Sequence, residues 1–208
     1  WLPNAIEVVE IMLASASIGA IFSSCSPDFG AQGVLDRFSQ ITPKILVATD
    51  SYIYGGKKFD CLERLAVVRN GLPTLKATLL VSLEEQAESH GLVSYEKCLQ
   101  SGASTPLAPR RFKFDHPWYV LYSSGTTGVP KCIVHRTGGV LLQHLKEHQL
   151  HCDIKTDDRV MYFTTTGWMM WNWLVSVLAS GATAVLYDGS PSFPTMNRLF
   201  DFVDQEQL

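Results

Sequence analysis

The stretch Trp118-Tyr119-Val120-Leu121-Tyr122-Ser123-Ser124-Gly125-Thr126-Thr127-Gly128-Val129-Pro130-Lys131 joins an apolar, strand-type run to a loop of glycines and hydroxyls that ends in a lysine. Its two glycines let the backbone reach positive φ and approach a ligand closely. Ser123, Ser124, Thr126 and Thr127 bring hydroxyls beside free backbone N–H groups, and together these can converge on an anion. Lys131 adds a compact positive charge suited to phosphate oxygens. No carboxylate stands in the loop to repel a polyphosphate. A bare Ser-Gly-Thr-Thr-Gly is also a common surface turn between strands. The full run, closing on Pro130-Lys131 and followed by Cys132-Ile133-Val134-His135, is far more specific.

The loop is not a Walker A motif, which needs four residues between its glycines and a Lys-Ser/Thr pair directly after the second. Here two residues separate Gly125 from Gly128, and G-x-G-x-x-G is absent as well. Working outward, strands alternate with helices. Asn4 is placed to cap a helix over Ala5–Ala16, with Ile6, Val9 and Leu13 on one face. A strand at Ile18–Ser23, a helix at Ala31–Ile41 ended by Pro43, and a buried strand at Lys44–Thr49 follow. Next come a helix at Phe59–Asn70 stopped by Gly71, a strand at Thr78–Ser82 and a short helix at Ser94–Gln100. Residues 101–117, rich in Ser, Pro, Gly and basic residues, read as a linker between portions 1–100 and 118–208. Beyond it are strands at 118–123 and 131–135, a helix at 137–152, a strand at Arg159–Thr164, a helix at Trp168–Ala179 and a strand at Ala182–Tyr187. A helical pattern spans Asn197 to Gln207. This order predicts an α/β fold with a doubly wound, mainly parallel sheet and helices on both faces. Ligands of such sheets bind in the crevice at the strand carboxyl ends, where the loop and the segment after Thr164 both start.

Bulk properties narrow the function. A chain of 208 residues can bury one proper core. A formal net charge of −3 gives no reason to expect nucleic acid or an anionic membrane as partner. Cys25, Cys61, Cys98, Cys132 and Cys152 are odd in number and widely spaced, which reads as reduced thiols of a cytosolic protein. Glu7 and Glu10 interrupt the longest apolar stretch, so it is not a membrane span. Trp1-Leu2-Pro3-Asn4 reads as the end of a strand entering a helix, and Leu208 falls inside a helical pattern. The chain is therefore expected to be a piece of a longer protein.

Other constellations carry less. Trp168, Met169, Met170, Trp171 and Trp173 at helical spacing read first as core. The three tryptophans cannot share one helix face, so at least one lines a cavity or the surface. His144 and His148 stand four apart with His151 near the same face, but Glu147 is misplaced for H-E-x-x-H and a packed or solvated face is expected. His135 reads as a packing or supporting residue, and Cys132 as buried and not nucleophilic.

The Tyr122–Lys131 run resembles the phosphate-binding loop of the adenylate-forming superfamily, which includes acyl-CoA synthetases. Thr164-Thr165-Thr166-Gly167-Trp168-Met169-Met170-Trp171-Asn172-Trp173 is similar to the acyl-pocket segment of its short-chain acyl-CoA synthetases, and to acetoacetate-activating members in particular. Ser26-Pro27-Asp28-Phe29-Gly30, the run from Gly33 to Gln40, Leu142–His148 and Leu186–Pro191 fit too, while Tyr52–Arg111 contributes little. The resemblance implies that Ser123, Ser124, Gly125, Thr126, Thr127, Gly128 and Lys131 bind ATP phosphates. It implies catalytic roles for Lys131 and Thr127, with the Thr127 hydroxyl on Mg²⁺. Gly167, Trp168, Met169, Met170 and Trp171 would form the acid pocket. The implied chemistry joins acetoacetate to AMP with release of pyrophosphate and then transfers the acyl group to coenzyme A. The family's Tyr-Gly-x-Thr-Glu segment, ribose-binding Asp, phosphate-binding Arg and C-terminal catalytic Lys are not found here and are expected beyond Leu208. Two alternatives stay open: a ligase for acetate, propionate or butyrate, and a non-catalytic truncated product that only binds nucleotide or partners.

Overall fold

In the computed structural model, which describes residues 1–82, 91–108, 110–124 and 128–208, short parallel ladders alternate with helices. The first half runs α1 (Ile6–Ile18), α2 (Gly30–Phe38), β1 (Ile45–Thr49), β2 (Ser51–Tyr54), β3 (Lys57–Asp60), α3 (Leu62–Gly71), β4 (Ala77–Val81), β5 (Val93–Ser94) and α4 (Tyr95–Gly102). The second runs β6 (Pro117–Tyr122), β7 (Cys132–Arg136), α5 (Thr137–Lys146), a π-helical turn (Glu147–His151), β8 (Arg159–Met161), α6 (Met169–Val175), a 3₁₀ turn (Ser176–Ser180), β9 (Thr183–Val185) and α7 (Arg198–Glu206).

Parallel pairing joins β1, β4 and β5, and separately β8 and β9, with Val47 opposite Leu79 and Val160 opposite Ala184. Two hairpins are antiparallel: β2 with β3, and β6 with β7. One core lies under β1, α2 and α3, built on Val34, Phe38, Leu46, Leu65, Val68 and Leu80. A second packs α1 on β6 and α6 through Val8, Met12, Phe22, Tyr119, Leu121 and Trp171. At roughly 1.5–3 kcal/mol for each large apolar side chain fully buried, these clusters are what hold the ladders against the helices.

Several elements depart from the sequence reading. Asn4 does not cap α1; Ala5 stands at the N-cap and no side chain caps it. Asn4 is instead buried, donating from its amide to the Tyr187 carbonyl at 3.0 Å and accepting from the Trp171 indole at 2.9 Å. The buried face of α1 is Val8, Val9 and Met12, while Ile6 and Leu13 are exposed. The expected strand at 18–23 is absent because α1 runs on to Ile18 and Gly19 turns left-handed at φ +75. Of that stretch only Phe22 bridges, in parallel, to Tyr119. The helix expected from Phe59 starts at Leu62, since residues 57–60 form the return strand of a hairpin. The 137–152 helix widens into its π turn at Glu147, and the 159–164 strand ends at Met161. Residues 103–116 hold no helix or strand among those described, yet they are anchored to α1: Arg110 N–H donates to Ser17 at 3.2 Å, and His116 meets the Gly19 carbonyl at 3.0 Å. No described helix is long and apolar enough to cross a membrane.

Candidate functional site

The glycine-rich run is the connection of the β6–β7 hairpin. Tyr122 pairs with Cys132, and the next pair inward closes the loop. Ser123 N–H donates to the Lys131 carbonyl at 3.0 Å, and Lys131 N–H donates back to Ser123 Oγ at 2.9 Å. Both main-chain groups of Lys131 are therefore held by one serine, and its side chain leaves an exposed position. Ser124 and Gly128 are also exposed. Gly128 has φ +135 with no atom within 4 Å of where a Cβ would stand, so the backbone there is open to an approaching group. Gly125, Thr126 and Thr127 lie outside the described residues.

The hairpin is braced from α2 and its C-terminal turn. Gln40 donates to the Pro130 carbonyl at 2.7 Å, and its carbonyl oxygen lies 3.6 Å from the Cys132 sulfur. Cys132 is partly exposed and not buried as expected; its thiol is pushed up by the desolvation it has, which favours an inert form. Arg37 donates to the Gly33 carbonyl at 2.8 Å and sits over the Phe29 ring at 4.5 Å, with the Tyr122 ring at 5.9 Å.

The second segment is tied to the first by residues 22–29. Phe22 bonds to β6 on both sides, at 2.9 Å each, and Ser23 Oγ donates to the Val120 carbonyl at 2.9 Å. Ser24 Oγ then donates to the Thr166 carbonyl at 2.6 Å, and Gly167 lies against Phe29 and Ser26. One extended strip thus touches β6 with one residue and the 164–167 strip with the next. The β6–β7 hairpin and the Gly167–Met170 segment do not share a ladder, but this strip is bonded to both β6 and Thr166.

Within that segment Trp168 and Met169 are exposed and Met170 is half-buried. Trp171 is wholly buried, stacked on Phe22 at 6.1 Å and bonded to Asn4, so it belongs to the core beneath the segment. Trp173 is half-buried, edge-on to His148 at 4.5 Å. The three tryptophans do point different ways. The amide of Asn172 and the hydroxyl of Thr165 are buried without a hydrogen-bond partner among the described residues, a state that costs desolvation energy unless something meets them.

The histidines pack. His135 stacks on Tyr119 at 4.9 Å. His144 Nδ1 lies 2.8 Å from Ser176 Oγ, and because that hydroxyl donates to the Trp173 carbonyl, His144 supplies the proton between them. Burial drives the His144 pKa down to about 4 and lowers that of His148. No group of three or more His, Cys, Asp or Glu gathers as a metal site among the described residues.

The AMP-binding enzyme family matches residues 1–208. The chain belongs to the AMP-binding enzymes. An acetoacetyl-CoA synthetase of Gallus gallus is 50% identical over 99% of the chain, and an acetoacetyl-coenzyme A synthetase of Rhizobium meliloti is 51% identical over all of it. The solved acetoacetyl-CoA synthetase from Streptomyces lividans superposes with a TM-score of 0.94 at 45% identity over 99% of the chain. The chain spans about a third of these relatives, 32% in each case. As an AMP-binding enzyme sequence, it carries a lysine-closed hairpin on β6 and a Trp-Met-Met segment after Thr166, both bonded to residues 22–24. Sequence reasoning missed the roles of Ser23, Ser24 and Phe29 in joining the two, and of Gln40 in bracing the hairpin. Three of these are contacts made across at least 90 positions, and nothing in spacing or periodicity encodes them.

Proposed function

We infer that the chain is the phosphate- and acid-binding part of a longer AMP-forming acid–CoA ligase whose acid is acetoacetate. The observation that carries this reading is the hairpin loop closed on Lys131, held beside the Gly167–Met170 segment by residues 22–29. In this reading Ser123, Ser124, Gly125, Thr126, Thr127, Gly128 and Lys131 bind the phosphates of ATP. The exposed backbone at Gly128 and the absence of any carboxylate in the loop suit that anion. Thr127 is the hydroxyl offered to Mg²⁺, a hard cation that binds oxygen and, with the triphosphate, would neutralise its charge.

Gly167, Trp168, Met169 and Met170 border the acid, with Trp171 fixing them from below. Acetoacetate carries a ketone oxygen that acetate lacks. The Asn172 amide and Thr165 hydroxyl lie in the same segment, both buried without a partner among the described residues. The carboxylate oxygen attacks the α-phosphorus, an acyl–phosphate bond forms, and pyrophosphate leaves with the electrons of the broken bond. The thiolate of coenzyme A then attacks the acyl carbon and AMP leaves. Such displacements depend on positioning and charge neutralisation and need no protein nucleophile in the first step. The compartment that goes with this reading is the cytosol, where five free thiols persist reduced.

The test is acid-dependent exchange of pyrophosphate into ATP by the full-length enzyme. Acetoacetate should be preferred over acetate, propionate and butyrate by kcat/KM. Preference for one of the other acids would move the assignment to that ligase, and no exchange with any of them would leave a nucleotide-binding role.

A further inference from the structure

Gln40 brackets Lys131. Its side-chain amide donates to the carbonyl of Pro130, the residue before, at 2.7 Å, and its oxygen lies 3.6 Å from the thiol of Cys132, the residue after. The second amide proton is used on the Asp36 carbonyl at 2.6 Å, which ties the side chain back to its own helix. Both N–H groups and the oxygen of this amide are engaged, and two of the three contacts fall on the neighbours of the same lysine. Ser123 secures the lysine's own main chain from the opposite strand. The Lys131 ammonium hangs on a flexible stem, so its reach depends on where that short stretch of backbone is fixed.

We propose that Gln40 is a positioning residue that sets the Lys131 backbone for the nucleotide phosphates, coupling the turn after α2 to the loop. This rests on the reading of Lys131 as a phosphate ligand. A side chain displaced by about 1 Å can cost up to a hundred-fold in rate, so loss of the brace is visible in turnover.

The experiment is a double-mutant cycle in the full-length enzyme with Gln40→Ala and Lys131→Ala, read by ATP–pyrophosphate exchange. Gln40→Ala should lower kcat/KM for MgATP about ten-fold and leave the KM for the acid within about two-fold, a split that general destabilisation does not produce. In the Lys131→Ala background the same change should cost less than about two-fold. Gln40→Glu, which keeps the length and replaces both donated bonds by oxygens, should behave like the alanine variant. Full, additive loss in the Lys131→Ala background overturns the role of Gln40 and leaves the Lys131 reading intact. Unchanged exchange in Lys131→Ala alone overturns both. Wild-type exchange in Gln40→Glu shows that the donated bonds carry nothing and overturns the proposal.

Discussion

Gly167 lies against the ring of Phe29: a Cβ at this position would stand 2.6 and 2.7 Å from Cε2 and Cζ of that ring. The ring in turn carries Arg37 at 4.5 Å, and Arg37 faces Tyr122 at the base of the β6–β7 hairpin. Gly167→Ala must therefore push Phe29 aside and disturb both segments. Overpacking of this kind costs about 1–3 kcal/mol. Urea unfolding of the variant should show that loss, and the KM for the acid should rise more than that for MgATP. Wild-type stability would mean that the ring swings away freely.

Lys131→Ala removes the charge at the end of the loop while Ser123 still closes the hairpin through main-chain atoms. In the full-length enzyme, kcat for ATP–pyrophosphate exchange should fall about ten- to a thousand-fold, as for loss of one electrostatic donor. Thermal unfolding should stay within about 2 °C of wild type, because a change at an exposed side chain is usually worth less than about 0.5 kcal/mol.

Gly128→Val places a branched side chain at φ +135, where L-residues are strained. The surrounding space is open and the residue exposed, so the loop can relax locally without disturbing the core. Nucleotide affinity, measured by calorimetry on the full-length enzyme, should be lost while the apo melting temperature falls only slightly. A collapse in melting temperature with affinity retained would make Gly128 a folding residue.

Met169→Ala and Met170→Ala should lengthen the acid pocket. A methylene in such a pocket is worth about 1–3 kcal/mol, so kcat/KM in competition between acetoacetate, butyrate and hexanoate should shift towards the longer acids by roughly ten-fold or more. Met169 is the more exposed of the two in this structure, and its substitution should disturb stability less. Equal losses on all three acids would assign the methionines to packing.

His144 and His148 make stability depend on pH. Both are buried, and burial lowers their folded pKa below the ordinary 6.5, to about 4 for His144. A depressed imidazole contributes stability that is present above its unfolded pKa and is lost as pH falls towards the folded value. For His144 that window runs from 6.5 to about 4. Urea midpoints should drop across it, and His144→Gln should flatten part of the drop. A midpoint independent of pH between 7 and 4.5 would show that the pair is solvated.

The alternation of strands and helices and the position of the loop were legible because apolar runs and glycine clusters are local signals. The short helix read at Ser94–Gln100 is α4, starting one residue later because Ser94 is its N-cap, with its hydroxyl accepting from Lys97 N–H. The face of α1 was misread because Ile6 and Leu13 are as apolar as Val8 and Met12, and only the elements packed against the helix decide which pair is covered. The β2–β3 hairpin escaped notice because all of β3 and half of β2 are exposed, so no burial pattern marks them. In the candidate site, Lys131 was readable from charge and position. The burial of Trp171 was not, since its partner Asn4 lies 167 positions away.

The same asparagine constrains the order in which the chain can mature. Its amide is satisfied by Tyr187, 183 positions later, and its oxygen by Trp171. Joining ends so distant costs on the order of 5 kcal/mol in loop-closure entropy, which must be met before the contact yields anything. During synthesis at about 5–20 residues per second, the Asn4 amide waits roughly ten seconds or more for Tyr187, while the α1 face already has Phe22, Tyr119 and Leu121 to pack on. The segment that carries Asn4 is thus made long before the residues that satisfy its side chain, and until they arrive that amide has only water for a partner.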